Sequence, residues 1–396
     1  MIIKPRTRGF ICTTAHPEGC ASQVREQIEY VKGQPALSGF KNVLVLGAST
    51  GYGLSSRIVA AFGAGANTIG VYRQGAASGN RTATAGWYNS AAFEKAAQDA
   101  GLKSFSVTGD AFADETKART IDVIRAELGQ VDLVVYSVAS ARRIHPTTGE
   151  VFNSTLKPIG KPYTNKTVNF HNGEVSSITI DPATQEDIDN TVAVMGGEDW
   201  QMWIDALLEA GVLADGATTV AYSYIGPELT QAVYREGTIG RAKDDLEATG
   251  QRLNKQLGEK GGQAYVSVCK ALVTQSSSAI PVVPLYISAL YKVMKEKGIH
   301  EGTIEQTYRL FSDRLYNPKG TELDEAGRIR IDDWEMRDDV QAEVAKLWEE
   351  LTTDNIYDLS DLKGYRKEFF QLFGFESEGV DYEADVSAEV DVPNLR

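Results

Sequence analysis

Tyr234 and Lys243 are the side chains whose types and spacing best suit chemistry at a carbonyl oxygen. A phenol of ordinary pKa about 10 gives up its proton more readily beside an ammonium group, because the cation stabilises the phenolate. Such a pair can serve an oxygen on which charge develops during hydride transfer. The two residues lie nine positions apart, in Tyr234-Arg235-Glu236-Gly237-Thr238-Ile239-Gly240-Arg241-Ala242-Lys243. Nine steps of about 100° along an unbroken helix put them on opposite faces. They converge only if the helix is interrupted, and Gly237 and Gly240 supply the break. Tyr234 is therefore expected on an irregular segment and Lys243 in the first turns of the next helix. A Tyr and a Lys at this separation also arise by chance, so the pair needs a cofactor site beside it.

The run Val43-Leu44-Val45-Leu46-Gly47-Ala48-Ser49-Thr50-Gly51-Tyr52-Gly53 supplies one. Four apolar residues, too few for a helix, read as a buried parallel strand. The glycines at 47, 51 and 53 form a loop, and residues 54–62 form an apolar, small-residue helix. A strand, a glycine turn and a helix N-terminus bind a dinucleotide pyrophosphate: backbone N–H groups approach the phosphates and the helix dipole favours the anion. The spacing GxxxGxG, rather than GxGxxG, points to the short-chain dehydrogenase/reductase branch of Rossmann folds.

The chain of 396 residues is 42% hydrophobic, enough for a sizeable core. Its net charge of −14 and pI near 4.9, without a concentrated basic face, speak against a nucleic-acid partner. Cys12, Cys20 and Cys269 have no metal-ligand spacing and are expected as reduced thiols. His16, His145, His171 and His300 are scattered and read as structural or surface residues, so no metal is expected. The opening residues lack the apolar core of a signal peptide, and no apolar run is long enough to span a bilayer. The expectation is a cytoplasmic protein. Nothing in the pattern demands a dimer, and a monomer suffices.

Further strands are expected at 67–72, 104–107, 131–136, 218–224 and 264–268. Helices fall between them at 90–100, 115–128, 186–194, 199–209 and 241–257. Residues 73–86 read as a loop. Alternating strands and helices mean right-handed crossovers and a parallel sheet. Between about 141 and 181 the pattern changes to a β-hairpin, with 167–170 and 177–180 flanking His171-Asn172-Gly173-Glu174. From about 280 onward the chain reads as helical, at 281–297, 304–315 and 340–351. Asp338 and Asp339 sit just ahead of the last of these as a solvated helix start, and the acidic tail beyond Glu376 is expected to be partly loose.

Larger motifs carry a resemblance. MIIKPRTRGFICTTAHPEGC at 1–20, GASTGYG at 47–53, GDAF at 109–112, YSVAS at 136–140 and VMGGEDW at 194–200 are similar to the FabV-type trans-2-enoyl thioester reductases. So are AYSYIGPE at 221–228, the Tyr-x8-Lys pair, LVTQSSSAIPVVPLY at 272–286 and RIRIDDWE at 328–335. That family comprises enoyl-acyl-carrier-protein reductases and trans-2-enoyl-CoA reductases. The resemblance implies one α/β domain over 1–396: a Rossmann-type doubly wound parallel sheet, the inserted β-hairpin, and a helical substrate-facing elaboration over about 280–396. It implies an oxidoreductase of lipid metabolism or fatty acid biosynthesis. Hydride from NADH or NADPH adds at C3 of a trans-2-enoyl thioester on CoA or acyl carrier protein, and an enolate develops on the thioester oxygen.

By the same resemblance Tyr234 is the proton donor, Tyr224 contacts the substrate, and Lys243 binds the cofactor and tunes the site. The plainer reading of Tyr224, from its position alone, is a core aromatic at a strand end. Cofactor contacts carry over to Gly47, Ala48, Ser49, Thr50, Gly51 and Tyr52. They extend to Asp110 and Ala111 at the adenine, to Val138 and Ala139, and to Leu272, Val273 and Thr274 at the nicotinamide. Asp110 and Val138-Ala139 independently fall just past expected strands, where ligands of open α/β sheets bind.

One departure concerns the second strand end, where the family usually carries an acid that bonds the adenosine ribose and repels a 2′-phosphate. Here Arg73 and Gln74 stand there. Either Arg73 pairs with a phosphate and NADPH is accepted, or Arg73 points to solvent, Gln74 bonds the ribose and NADH is preferred. Arg142 and Arg143 could meet a carrier phosphate, although a solvated loop pair is the plainer expectation. Two other functions stay in view. A carbonyl reductase would usually space its Tyr and Lys by three intervening residues, and a dinucleotide sensor would have no use for the catalytic set.

Overall fold

The computed structural model describes residues 1–9 and 11–396. Its centre is a sheet of seven strands: β1 (Asn42–Leu46), β2 (Asn67–Tyr72), β3 (Ser104–Thr108), β4 (Val131–Tyr136), β5 (Leu213–Ser223), β6 (Gln263–Val268) and β7 (Ile329–Arg330). They lie in the order β3-β2-β1-β4-β5-β6-β7, every neighbour parallel. β1 shows why these runs are strands. Val43 and Val45 enter the core layer on one face, while Leu44 and Leu46 enter the layer on the other. A sheet buried on both faces needs such unbroken apolar runs. Strand order reverses between β1 and β4, which opens a crevice at their carboxyl ends.

The hairpin pairs Tyr163–Asn169 with Glu174–Ile180, and Gly173 sits in the turn at φ +79°. The helical elaboration has its own core, in which Tyr286, Leu290 and Tyr291 of helix Val283–Glu296 meet Val340, Trp348, Tyr365 and Phe369.

Several helices begin about a turn before the expected point: Gly51–Ile58, Ala85–Asp99 and Thr238–Gly258. The first turn needs no i−4 partner, so its small or polar residues carry no apolar signal. The loop expected at 73–86 is correspondingly shorter. Asp338 and Asp339 likewise lie inside helix Asp338–Glu350 rather than ahead of it. The two-residue β7 and a small hairpin pairing Arg142–Ile144 with Val151–Asn153 are too short to carry a periodic signal. Helices Pro17–Lys32 and Leu362–Gln371, by contrast, were missed although Cys20, Val24, Ile28 and Val31, and Leu362, Tyr365, Phe369 and Phe370, recur at helical spacing.

The tail beyond Glu376 is not loose. Val386, Ala388 and Val392 are buried, and the carbonyls of Ala388 and Val390 accept from Tyr88 Oη and Trp87 Nε1 at 2.6 and 2.7 Å. Its last residues pair with the outer edge of β3: Ser106 N–H donates to Asn394 O at 3.1 Å, and Arg396 N–H to Ser106 O at 2.7 Å. Covering an open strand edge removes a template for aggregation. Acidic composition hid this, because the burial is carried by alternate small apolar residues.

Candidate active site

The glycine loop leaves β1 through Gly47, whose φ of +85° suits glycine. A Cβ there would lie 2.1 Å from Ser137 O at the end of β4, and one on Gly53 would lie 2.0 Å from Gly47 O. The loop is thereby pressed against the neighbouring strand end, and helix Gly51–Ile58 starts at the crevice. The N–H groups of Gly47 and Ala48 are used by the sheet, both donating to Val71 O at 2.9 and 3.1 Å. The amides at the start of the helix are the ones without intrahelical partners, and these suit an anion. Asn89 Nδ2 steadies the loop from helix Ala85–Asp99 by donating to Ser49 O at 3.1 Å.

A cleft of about 800 Å³ runs along the strand ends from this loop. It gathers nearly all the expected residues: Gly47, Ser49 and Thr50 of the loop, Gly51 and Tyr52 at the helix start, Arg73 and Gln74 after β2, Asp110 and Ala111 after β3, and Val138 and Ala139 after β4. Tyr224, Tyr234, Lys243, Leu272, Val273 and Thr274 complete the wall. Ala48 is the exception. It is buried at 1% exposure beneath the loop, where its methyl packs close to Gly70. The cradle fits a dinucleotide: a glycine-lined helix start meets an elongated cleft along the β1/β4 switch point.

At the second strand end, Gln74 Nε2 donates to Ser49 Oγ at 2.9 Å, and its amide lies against Gly86, where a Cβ would come within 2.5 Å of it. Arg73 is exposed, and its guanidinium meets Asp110 at 3.2 Å. The loop bearing Asp110 and Ala111 is held from below by Lys117. Its Nζ donates to Ala111 O, Phe112 O and Asp199 Oδ1 at 3.2, 3.1 and 2.8 Å. Tyr136 Oη donates to the other Asp199 oxygen at 3.1 Å. Asp199 comes from the VMGGEDW motif, and nothing in its local spacing announced this support. Of the two arginines after β4, Arg142 is exposed on the cleft rim. Arg143 is not a solvated partner: it is buried, and its Nη1 donates to Glu198 Oε2 and Ala193 O, both at 2.6 Å.

Tyr234 follows the short helix Glu228–Gln231 on an irregular turn, and helix Thr238–Gly258 starts after its cap, Gly237. Gly240 lies inside that helix and does not break it. Its hydrogen lets Arg235 O approach to 1.8 Å of where a Cβ would sit. Tyr234 and Tyr224 meet edge to face, with ring centroids 4.8 Å apart. Burial, aided by Cys269, pushes the Tyr234 phenol up to about 12. Burial pushes the Lys243 ammonium down to about 8, against the opposing pull of Cys269 and Glu247. Lys243 Nζ reaches the carbonyl of Tyr222 at 3.4 Å, which tethers it beside the end of β5.

Sequence reasoning missed Glu335. Its carboxylate is fully buried, and one oxygen accepts from both Tyr224 and Tyr286 while the other accepts from the Ala271 amide. The RIRIDDWE motif contained it, but a glutamate in so charged a run reads as solvated.

Residues 2–79 match the family described as the NAD(P)H binding domain of trans-2-enoyl-CoA reductase, and residues 81–316 match the trans-2-enoyl-CoA reductase catalytic region. Residues 323–386 match an enoyl reductase FAD binding domain. The residues there do not fit a flavin. Helices Asp338–Glu350 and Leu362–Gln371 turn Val340, Trp348 and Phe369 into the core, and only Glu368, Gln371 and Leu372 of the segment reach the cleft wall.

An enoyl-acyl-carrier-protein reductase [NADH] of Flavobacterium johnsoniae is 63% identical over 396 residues, covering all of both chains. A trans-2-enoyl-CoA reductase [NADH] of Ruminiclostridium cellulolyticum is 61% identical over 395 residues, again covering both. The crystal structure of Clostridium acetobutulicum trans-2-enoyl-CoA reductase with NADH superimposes at TM-score 0.96, with 45% identity over 98% of each chain. The Treponema denticola enzyme with NAD gives 0.94, with 52% identity over 99% of each.

Proposed function

The chain belongs to the family of trans-2-enoyl-CoA and enoyl-acyl-carrier-protein reductases, and on that premise we propose how its residues divide the work. The reaction is reduction of the C2–C3 double bond of a trans-2-enoyl thioester. Bound along the cleft, the reduced nicotinamide supplies the hydride that adds at C3. Charge then develops on the thioester oxygen, and a hydrogen-bond donor aimed at it lowers the barrier. We assign that donor to Tyr234. Lys243, on the same cleft wall, holds the nicotinamide ribose, while Tyr224 packs against Tyr234 and the substrate. The loop Leu272–Val273–Thr274 seats the nicotinamide. The observation that carries this reading is the convergence of Tyr234, Tyr224 and Lys243 with that loop in one cleft.

For the cofactor we favour NADH. The Asp110 carboxylate beside Arg73 sets a negative charge against a 2′-phosphate at this strand end, and Gln74 is bonded to Ser49. The names of the relatives agree with this choice. The whole chain acts as one reductase domain, a reading supported by strands from both sides of the hairpin sharing one sheet. Its partner is an enoyl thioester on CoA or acyl carrier protein. The test is loss of reduced-nicotinamide absorbance with crotonyl-CoA, run with NADH and NADPH in parallel. Turnover favouring NADH is expected. Absence of turnover on both CoA and acyl-carrier-protein thioesters would refute the assignment of residues.

A further inference from the structure

We propose that Glu335 decides which tyrosine of the active-site pair gives up a proton: it holds the Tyr224 hydroxyl hydrogen and so reserves Tyr234 as the donor. This rests on the reading of Tyr234 given above. Glu335 Oε1 accepts from Tyr224 Oη at 3.1 Å and from Tyr286 Oη at 2.7 Å, and Oε2 accepts the Ala271 amide at 2.7 Å. An ionised carboxylate only accepts, whereas a phenol has a single hydrogen to give. A phenol bonded to a buried carboxylate commits that hydrogen there, in a charge-assisted bond stronger than a neutral one. The Tyr224 oxygen is then left with lone pairs, which repel a developing enolate. Tyr234 lines the same cleft and, among the described residues, makes no side-chain hydrogen bond, so its hydrogen is available.

Glu335 is thus a positioning residue acting through Tyr224. It also ties that tyrosine to the nicotinamide loop, since Ala271 precedes Leu272 directly. Around the carboxylate stand Tyr224 from the end of β5, Lys270 and Ala271 from the loop after β6, Tyr286 from helix Val283–Glu296, and Asp332 from its own segment. Gln341 Nε2 donates to the Glu335 carbonyl at 2.7 Å and fixes the backbone. A glutamine at this position keeps the shape, accepts from Ala271 through its oxygen and turns N–H groups toward the two phenols. The Tyr224 hydrogen is thereby released.

The experiment compares kcat on crotonyl-CoA with NADH for Tyr234→Phe, Tyr234→Phe/Glu335→Gln, and that double variant with Tyr224→Phe added. Loss of the general acid in Tyr234→Phe should cost about a hundredfold or more. Adding Glu335→Gln should recover about tenfold through the second donor, and adding Tyr224→Phe should abolish the recovery. No recovery, or recovery that survives loss of the Tyr224 hydroxyl, overturns the inference. Full activity of Tyr234→Phe alone overturns the donor assignment itself, and the inference with it. Should Glu335→Gln fail to fold, Tyr234→Phe with Glu335 intact decides. Its residual kcat must rise toward acid, where the carboxyl is neutral, relative to Tyr224→Phe/Tyr234→Phe. Parallel profiles overturn the proposal.

Discussion

Tyr224 and Tyr234 meet edge to face at 84°, with centroids 4.8 Å apart, although one ends a strand and the other lies on the turn before a helix. The contact exists because Gly237 caps the helix after Tyr234, which lets the chain fold back toward the strand end. The same geometry brings Lys243, in the early turns of that helix, to the carbonyl of Tyr222.

Lys243 should impose an alkaline limit on cofactor use. Its buried ammonium titrates at about 8, so kcat/KM for NADH should fall above that pH. Lys243→Arg stays charged and should flatten the limb. Lys270 is also buried and pushed down to about 8, by burial first, yet Lys270→Arg should leave the limb in place. Stability moves the other way. Both lysines lie below their ordinary value of 10.5, so the unfolded chain binds more protons between about 8 and that value. Resistance to urea should therefore gain from these two groups as pH rises through this window. An alkaline limb unchanged in Lys243→Arg would sink the assignment.

Asp110→Asn should widen cofactor choice. The variant releases Arg73, which can then meet a 2′-phosphate. One charge-assisted hydrogen bond of about 1.5 kcal/mol corresponds to about tenfold in the NADPH-to-NADH ratio of kcat/KM. The ratio is the quantity to measure, because Asp110 also lines the cleft and both cofactors should bind less well. An unchanged ratio would show that Arg73 does not reach the phosphate even when free.

Glu94→Ala should unfold the protein at lower denaturant without touching the chemistry. Arg57 and Glu94 are both fully buried and meet at 2.6 Å, with Ser104 and Ser106 also donating to the carboxylate. Removing one partner strands a buried charge, at about 3–5 kcal/mol. Chemical denaturation followed by circular dichroism reads the loss. Folded variant at low temperature should keep its kcat, and a midpoint unchanged from the parent would contradict the cost.

Deleting residues 387–396 should expose the β3 edge and the side chains the tail covers. The expected result is lower thermal stability and concentration-dependent aggregation, read by light scattering during a melt. A truncated chain that melts like the parent and stays monodisperse would mean the tail contacts carry no stability.

What the sequence by itself determined was the local structure that a strong apolar period or a turn pair marks. The apolar run 43–46 had to be a buried strand, Gly47 after it had to turn, and Asn172-Gly173 had to close a hairpin, although Gly51 and Gly53, expected in the loop, fall in the helix that follows. Even the break between Tyr234 and Lys243 followed from 3.6-residue geometry and Gly237. The role of Gly240 did not, because its need for a missing side chain comes from Arg235 O, a neighbour that only folding supplies. Likewise Glu335 and Arg143 sit in charged stretches that read as solvent-facing, and nothing local marks Asp199 as buried. The fold buries each by surrounding it with partners distant in the chain. A charge's fate depends on which groups surround it in space, and that is decided by tertiary packing rather than by the neighbours it has in sequence.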